Sequence, residues 1–143
     1  MSAFEIRRLE PGDEGVLPQL SEWVGRPPLD HDAAGRFLAN ERNHLLVAFE
    51  AREPVGLLLA HELDRRHGDE RKMLLYEIDV RADRRRRGIG SALMDSFAEL
   101  CRRRGYGQAW VLTDEENTAA MSFYAACGGT REVPDSVMFV FRP

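Results

Sequence analysis

Apolar residues follow two rhythms along this chain, one of period two and one of helical spacing, and the changes between them mark the elements. Phe4-Glu5-Ile6-Arg7-Arg8-Leu9 reads as a first strand whose alternation breaks at the arginine pair. After a Pro11-Gly12-Asp13 turn, Val16, Leu17, Leu20 and Trp23 share one side of a helix, with Asp13 as its expected N-cap. Gly25-Arg26-Pro27-Pro28 stops that helix. A second short helix turns Ala33, Phe37 and Leu38 inward and is capped by Asp30 or Asp32. These two helices are the least strongly patterned part of the chain, and a substrate-facing loop fits there. His44–Glu50 and Val55–Leu63 predict an antiparallel hairpin around Arg52-Glu53-Pro54. A polar tip from Asp64 to Arg71 leads into a further strand, Met73–Val80.

Ile89, Leu93, Phe97 and Leu100 then recur at helical spacing, so a helix spans Ile89–Arg104 and ends at Gly105-Tyr106-Gly107. A fifth strand, Gln108–Thr113, precedes a helix over Asn117–Ala126 that closes at Gly128-Gly129. A last hairpin is expected from Thr130–Val133 and Val137–Phe141 around Pro134-Asp135. Strands interleaved with helices imply an α/β (α+β) fold, a mixed sheet with helices on both faces.

Composition narrows the picture. A chain of 143 residues suits one domain over 1–143 with a single core. With 43% hydrophobic and 31% charged residues it reads as an ordinary soluble protein. A formal charge of −4 argues against non-specific nucleic-acid binding. No apolar stretch is long enough to span a membrane, and Met1–Arg8 lacks the apolar core of a signal segment, so a cytoplasmic location is expected. Cys101 and Cys127 have no metal-ligand spacing and are expected to be buried thiols.

The chemistry concentrates in Arg84-Arg85-Arg86-Arg87-Gly88-Ile89-Gly90-Ser91. A strand, a glycine turn and a helix start together form an anion site, because the first helical N–H groups have no partner and carry partial positive charge. Gly88 and Gly90 let a phosphate approach without meeting a Cβ, and the arginines offer fork-shaped donors. A Walker A loop is excluded, since G-x-x-x-x-G-K-[ST] does not occur. A dinucleotide fingerprint is excluded too, because Leu93 stands where its third glycine belongs. A solvated basic turn ahead of a helix is the plain alternative.

Arg85, Gly88 and Gly90 fill the pattern [RQ]-x-x-G-x-G, which resembles motif A of the GNAT acyltransferases. Asn117-x-x-Ala120-x-x-Phe123-Tyr124-x-x-Cys127-Gly128 resembles a second GNAT element, in the expected order. The flanks are similar to the class I aminoglycoside 3-N-acetyltransferases: Tyr76-Glu77-Ile78-Asp79-Val80, Asp114 and Gly129-Thr130-Arg131-Glu132 occupy matching places. Glu77 in place of Asp, the Glu115-Glu116-Asn117 loop and a shorter N-terminal region depart from that subgroup.

The resemblance implies a GNAT-like fold, a mostly antiparallel sheet of about six or seven strands flanked by about four helices. It also implies acetyl-CoA as co-substrate and no metal. The pyrophosphate would lie on Arg85, Arg86, Arg87, Gly88, Ile89, Gly90 and Ser91, and pantetheine along Ile78, Asp79 and Val80, with a backbone N–H near Val80 facing the thioester carbonyl as oxyanion donor. Asn117 would hold the pantetheine or diphosphate arm, or act only as an N-cap. Tyr124, bordering the cofactor, would protonate the leaving thiolate, with a core aromatic as the alternative.

Glu77 and Asp79 share one face of their strand, where carboxylates attract a cationic amine and take its proton; Glu77 leads as base, ahead of Asp79 and Asp114, with a water chain as the alternative. Asp30, Asp32, Glu62, Asp64, Glu115 and Glu116 are expected to make the acceptor mouth acidic. The implied acceptor is a small cationic amine such as an aminoglycoside 3-amino group; a protein amine and a CoA-binding module without catalysis remain alternatives. Val137, Phe139 and Phe141 fit either core packing or a homodimer contact.

Overall fold

The computed structural model describes residues 3–64, 66–68 and 71–143. The ends of two expected features, Met1 and Ser2 at the start and Arg65, Asp69 and Glu70 in the polar tip, lie outside the described residues. The backbone divides into two compact units, one reaching Leu112 and the other spanning Thr113–Pro143.

The first unit is a five-stranded sheet in the order β1 (Glu5–Arg8), β2 (Asn43–Glu50), β3 (Glu53–Glu62), β4 (Lys72–Val80) and β5 (Gln108–Trp110). Strands β1 to β4 run antiparallel to their neighbours and β5 runs parallel to β4. Helix α1 (Leu17–Val24), preceded by a 3-10 turn at Glu14–Val16, and helix α2 (His31–Ala39) carry the core residues of one face. There Leu17, Leu20, Ala34 and Leu38 meet Leu45, Val47, Phe49 and Leu57. Helix α3 (Ile89–Arg104) covers the other face, where Ile89, Leu93, Phe97 and Cys101 pack on Leu46, Ala48, Leu58, Ala60, Met73 and Leu75. Because both faces are covered, the central strands are apolar runs rather than alternating ones. No helix among the described residues is long and apolar enough to cross a membrane.

Several boundaries differ from the sequence expectation. The β2–β3 turn is Ala51-Arg52, both at positive φ (48° and 70°), which lets a two-residue loop follow the strand twist without glycine. Pro54 therefore lies in β3, opposite Phe49, not in the turn. Asp13 does not cap α1 with its side chain; it pairs with Arg7 at 2.9 Å and accepts from the Glu10 N–H at 2.8 Å. Asp30, rather than Asp32, caps α2 by accepting from the Ala33 N–H at 2.8 Å.

Strand β5 stops at Trp110 instead of Thr113. Its last partner on β4 is Leu74, and directly beyond it β4 carries a bulge: Ala60 pairs with Leu75 and Leu59 with Glu77, leaving Tyr76 extra. The added local twist of a bulge ends the parallel ladder.

The second unit holds α4 (Thr118–Ala126) and, among the described residues, no strand. The expected last hairpin over Thr130–Val133 and Val137–Phe141 is thus a correction, and the sheet has five strands, not six or seven. Only its turn forms, with the Ser136 N–H donating to the Val133 carbonyl at 3.3 Å. A lone pair of strands is marginal in water, and Pro134 lacks a donor. Val137, Phe139 and Phe141 are exposed rather than in a core.

One buried polar group sits beneath the β1 edge. His44 is fully buried and its Nδ1 accepts from Arg8 Nε at 3.2 Å, while Nε2 has no partner. Burial and the Arg8 charge push its pKa down to about 4, so it stays neutral near pH 7.

Gly56 on β3 sets how closely α3 lies on the sheet: a Cβ there would meet Ile89 Cγ2 at 2.8 Å and Leu93 Cδ1 at 3.2 Å. Both side chains are buried core, so neither moves freely. Gly56→Ala is expected to destabilise the fold by about 1–3 kcal/mol, the usual cost of overpacking. Gly15→Ala, where an added Cβ meets nothing within 4 Å, is the control and should leave the urea midpoint nearly unchanged.

Candidate active site

The loop between β4 and α3 sorts its arginines by their partners. Arg81 and Arg84 are held by acids: Arg81 by Asp83 at 2.7 Å and Glu53 at 3.4 Å, Arg84 by Asp83 at 2.8 Å and by Glu50. Arg85 folds back on β4, donating to the Val80 carbonyl at 3.0 Å and lying 3.5 Å from Asp79. Among the described residues, Arg86 and Arg87 make no side-chain hydrogen bond or ion pair and are exposed. Both guanidinium groups reach solvent, and the Arg87 charge helps hold the Glu50 pKa down.

The chain enters α3 through Arg86 (φ 62°) and Gly88 (φ 82°), a left-handed pair that swings the backbone into the helix. No side chain caps this end, and the Ala92 N–H donating to the Gly88 carbonyl at 3.0 Å is the first helical bond. The N–H groups of Ile89, Gly90 and Ser91 precede it and have no place in the helix ladder. A Cβ at Gly88 would meet nothing within 4 Å, so space lies open beside these donors. The geometry and charge suit a phosphate or diphosphate.

Next to the loop, β4 offers a free edge. It pairs with β5 only through Lys72–Leu74, so the backbone from Leu75 to Val80 faces β3 alone. An extended amide-bearing ligand fits such an edge. The Val80 N–H on it is engaged by Asp79 Oδ1 at 2.9 Å, so Asp79 acts here as a backbone anchor.

Glu77 and Asp79 pair with Leu59 and Leu57, which places both carboxylates on the α1–α2 face. Glu77 is half-buried, and burial raises its pKa above the ordinary carboxylate range; the nearby Arg26 charge partly offsets this and Asp79 adds to it. Of the other expected mouth acids, Glu62 belongs elsewhere: Arg71 binds it, donates to the Tyr106 hydroxyl at 3.1 Å and stacks on that ring at 4.4 Å. Asp64 pairs with Arg42 and Glu115 with Arg131.

In the second unit, Asn117 Oδ1 caps α4 by accepting from the Ala120 N–H at 3.1 Å. Tyr124, on the same helix, packs edge-on against Phe123 with ring centres 5.5 Å apart, and burial raises its pKa. Gly129 holds the helix end: its N–H donates to the Tyr124 carbonyl at 2.9 Å, and a Cβ there would collide with that oxygen. Asp114 is exposed in the preceding loop, its carbonyl accepting from the Asn117 N–H at 3.0 Å. Cys101 is buried as expected, whereas Cys127, just past α4, is exposed.

Three contributors escape the sequence reading. Gly56 resembles any strand glycine, although its lack of a Cβ fixes where α3 begins. The Tyr76 bulge leaves no trace in composition. His61, beside it on β3, carries no motif.

The profile of the Acetyltransferase (GNAT) family matches residues 9–129. A curated relative, the mycothiol acetyltransferase of Clavibacter sepedonicus, is 32% identical over 113 residues, 72% of this chain. The chain spans only 37% of that relative's length. An aminoglycoside acetyltransferase from an uncultured soil metagenomic sample superposes with TM-score 0.82 at 28% identity, over 100% of this chain and 99% of that one. Another from such a sample, crystallised with sisomicin, superposes with TM-score 0.86 at 20% identity, over 98% and 96%. The ribosomal-protein-alanine N-acetyltransferase of Brucella melitensis biovar Abortus 2308 superposes with TM-score 0.75 at 22% identity, over 97% and 98%.

The raised carboxyl of Glu77 has a measurable consequence. A folded-state pKa above the unfolded one means that stability falls as pH rises between the two. Glu77→Gln is therefore expected to be more stable than the parent at pH 7, by a few tenths to about 1 kcal/mol given its partial solvation. The difference should vanish below the carboxylate range, about pH 4, in thermal melts across pH.

Proposed function

The chain belongs to the acetyltransferase (GNAT) family, and we propose that it is an acetyl-CoA-dependent N-acetyltransferase acting on a primary amine of a small cationic acceptor. The observation that carries this reading is the uncapped start of α3, open at Gly88, with Arg86 and Arg87 beside it, exposed and without a hydrogen bond or ion pair among the described residues. A diphosphate there would meet the N–H groups of Ile89, Gly90 and Ser91 and the two guanidinium groups. Pantetheine amides would pair along Ile78–Val80 once Arg85 yields the Val80 carbonyl to the ligand.

On this reading Glu77 takes the proton of the acceptor ammonium, for which a raised carboxyl pKa is an advantage. The freed amine lone pair attacks the thioester carbon, the carbonyl oxygen gains the charge, and collapse breaks the C–S bond. The acetylated nitrogen, left with one proton too many, passes it to the phenolate that forms as Tyr124 gives its own proton to the departing thiolate. With reference values of about 10 for a phenol and about 8.5 for a thiol, that transfer is uphill and depends on positioning. Asp79 orients the strand through the Val80 N–H, and Asn117 Nδ2 stays available to a ligand because Oδ1 is the cap. Asp114, exposed near the start of α4, is a weaker base candidate than the half-buried Glu77.

An aminoglycoside 3-amino group is the leading acceptor. The Glu77–Asp79 face suits a cation, and the 28%-identical solved protein is described as an aminoglycoside acetyltransferase. Thiol release from acetyl-CoA with a panel of an aminoglycoside, a polyamine and a peptide N-terminus tests this reading. Release with the aminoglycoside supports it, release with the peptide alone overturns the acceptor, and binding of acetyl-CoA without any release overturns the enzyme.

Tyr124→Phe is expected to lower kcat by about one to two orders of magnitude with acetyl-CoA affinity nearly unchanged, as for a group used only in the transition state. Unaltered turnover would remove Tyr124 from the reaction. Gly88→Val is expected to abolish thermal stabilisation by acetyl-CoA, beyond a folding cost of about 1–2 kcal/mol for a branched residue at positive φ. Retained affinity in calorimetry would move the diphosphate elsewhere.

A further inference from the structure

The α1–α2 face of the sheet holds a second polar group whose hydrogen-bond network fixes its protonation. Asn43 opens β2 opposite His61 on β3. Its Nδ2 donates to the Phe37 carbonyl, in the last turn of α2, at 3.0 Å. That bond turns the carboxamide oxygen towards His61, leaving Asn43 Oδ1 2.9 Å from Nδ1. A carboxamide oxygen only accepts, so Nδ1 carries the hydrogen, and in the neutral ring Nε2 is then a bare acceptor. Burial lowers the pKa of this imidazole, which keeps the ring neutral near pH 7. Nε2 has no hydrogen-bond partner among the described residues, and it is not shut off from solvent as His44 Nε2 is.

The bulge completes the arrangement. Tyr76 rests edge-on against the His61 ring, with centres 5.6 Å apart and planes at 65°, and is itself 60% exposed. Strand alternation puts His61 on the same face as Leu59 and Leu57, the partners of Glu77 and Asp79. His61 stands two residues along β3 from the partner of Glu77, which separates the two Cα positions by roughly 8 Å from strand rise and strand spacing.

We infer that His61 is an acceptor-binding residue, its Nε2 taking a hydrogen bond from a second donor group, a hydroxyl or a further amine, of the substrate whose reacting amine lies at Glu77. The site therefore selects polyfunctional amines, amino sugars or diamines with a second donor, over monoamines. The inference rests on the acetyltransferase reading for the reaction, while the tautomer stands apart from it.

Long-range proton–nitrogen spectra of the histidine rings, with His61 assigned by the His61→Phe variant, are expected to show the Nδ1–H form. An Nε2–H tautomer would overturn the inference. Titration with an amino sugar is expected to shift the Nε2 resonance, and an equimolar alkyl monoamine is not; equal responses would overturn it. In thiol release, His61→Phe keeps the ring against Tyr76 but loses the acceptor. It is expected to raise KM about five- to tenfold for the amino sugar, leaving kcat within twofold and the monoamine unaffected. An equal KM change for both amines would overturn the anchor. If no amine releases thiol from the parent protein, the reaction proposed above fails, and the Nε2 shift alone then decides the binding role.

Discussion

The close approach of α3 to β3 over Gly56 is the constraint on which the rest of the site depends. With no Cβ beneath them, Ile89 and Leu93 settle into the sheet, and this fixes the height and direction at which α3 begins. The start of α3 carries the unladdered N–H groups of Ile89, Gly90 and Ser91, so its height and direction set where they point. A shift of a few tenths of an ångström at the packing layer reaches those donors undamped, since interiors are close-packed. The fold therefore gives up a side chain in a buried strand to place backbone nitrogen atoms at its edge.

Charge is partitioned with equal economy. Arg81 and Arg84 are tied to Glu50, Glu53 and Asp83 and brace the loop against the β2–β3 turn. Among the described residues Arg86 and Arg87 form no such ion pair, and Arg85 donates to the Val80 carbonyl of β4. On the other face, Glu77 stays half-desolvated beside Asp79 at a cost to folding.

Local rules made much of this legible. Helical spacing located α3, the arginine–glycine turn marked where that helix begins, and period-two alternation put Glu77 and Asp79 on one face. What stayed hidden depends on partners distant in sequence. The need for Gly56 comes from Ile89 and Leu93, the tautomer of His61 from Asn43 and Phe37, and the Tyr76 bulge from the register of β3. The early end of β5 follows from that bulge, so extending the apolar run to Thr113 was an error of register, not of propensity. The last hairpin read well because Val137–Phe141 has strand composition, but composition supplies no partner strand.

Arg86 and Arg87, both exposed, sit on a protein of formal charge −4. A polyanionic ligand is thus repelled by the whole molecule while being drawn to one corner of it. At physiological ionic strength the Debye length is about 8 Å, so charges farther than that from the loop act on it weakly. Dissolved salt consequently mutes the distant repulsion more than the contact attraction, so the pull of this corner on an anion outlasts the repulsion of the whole molecule as ionic strength rises.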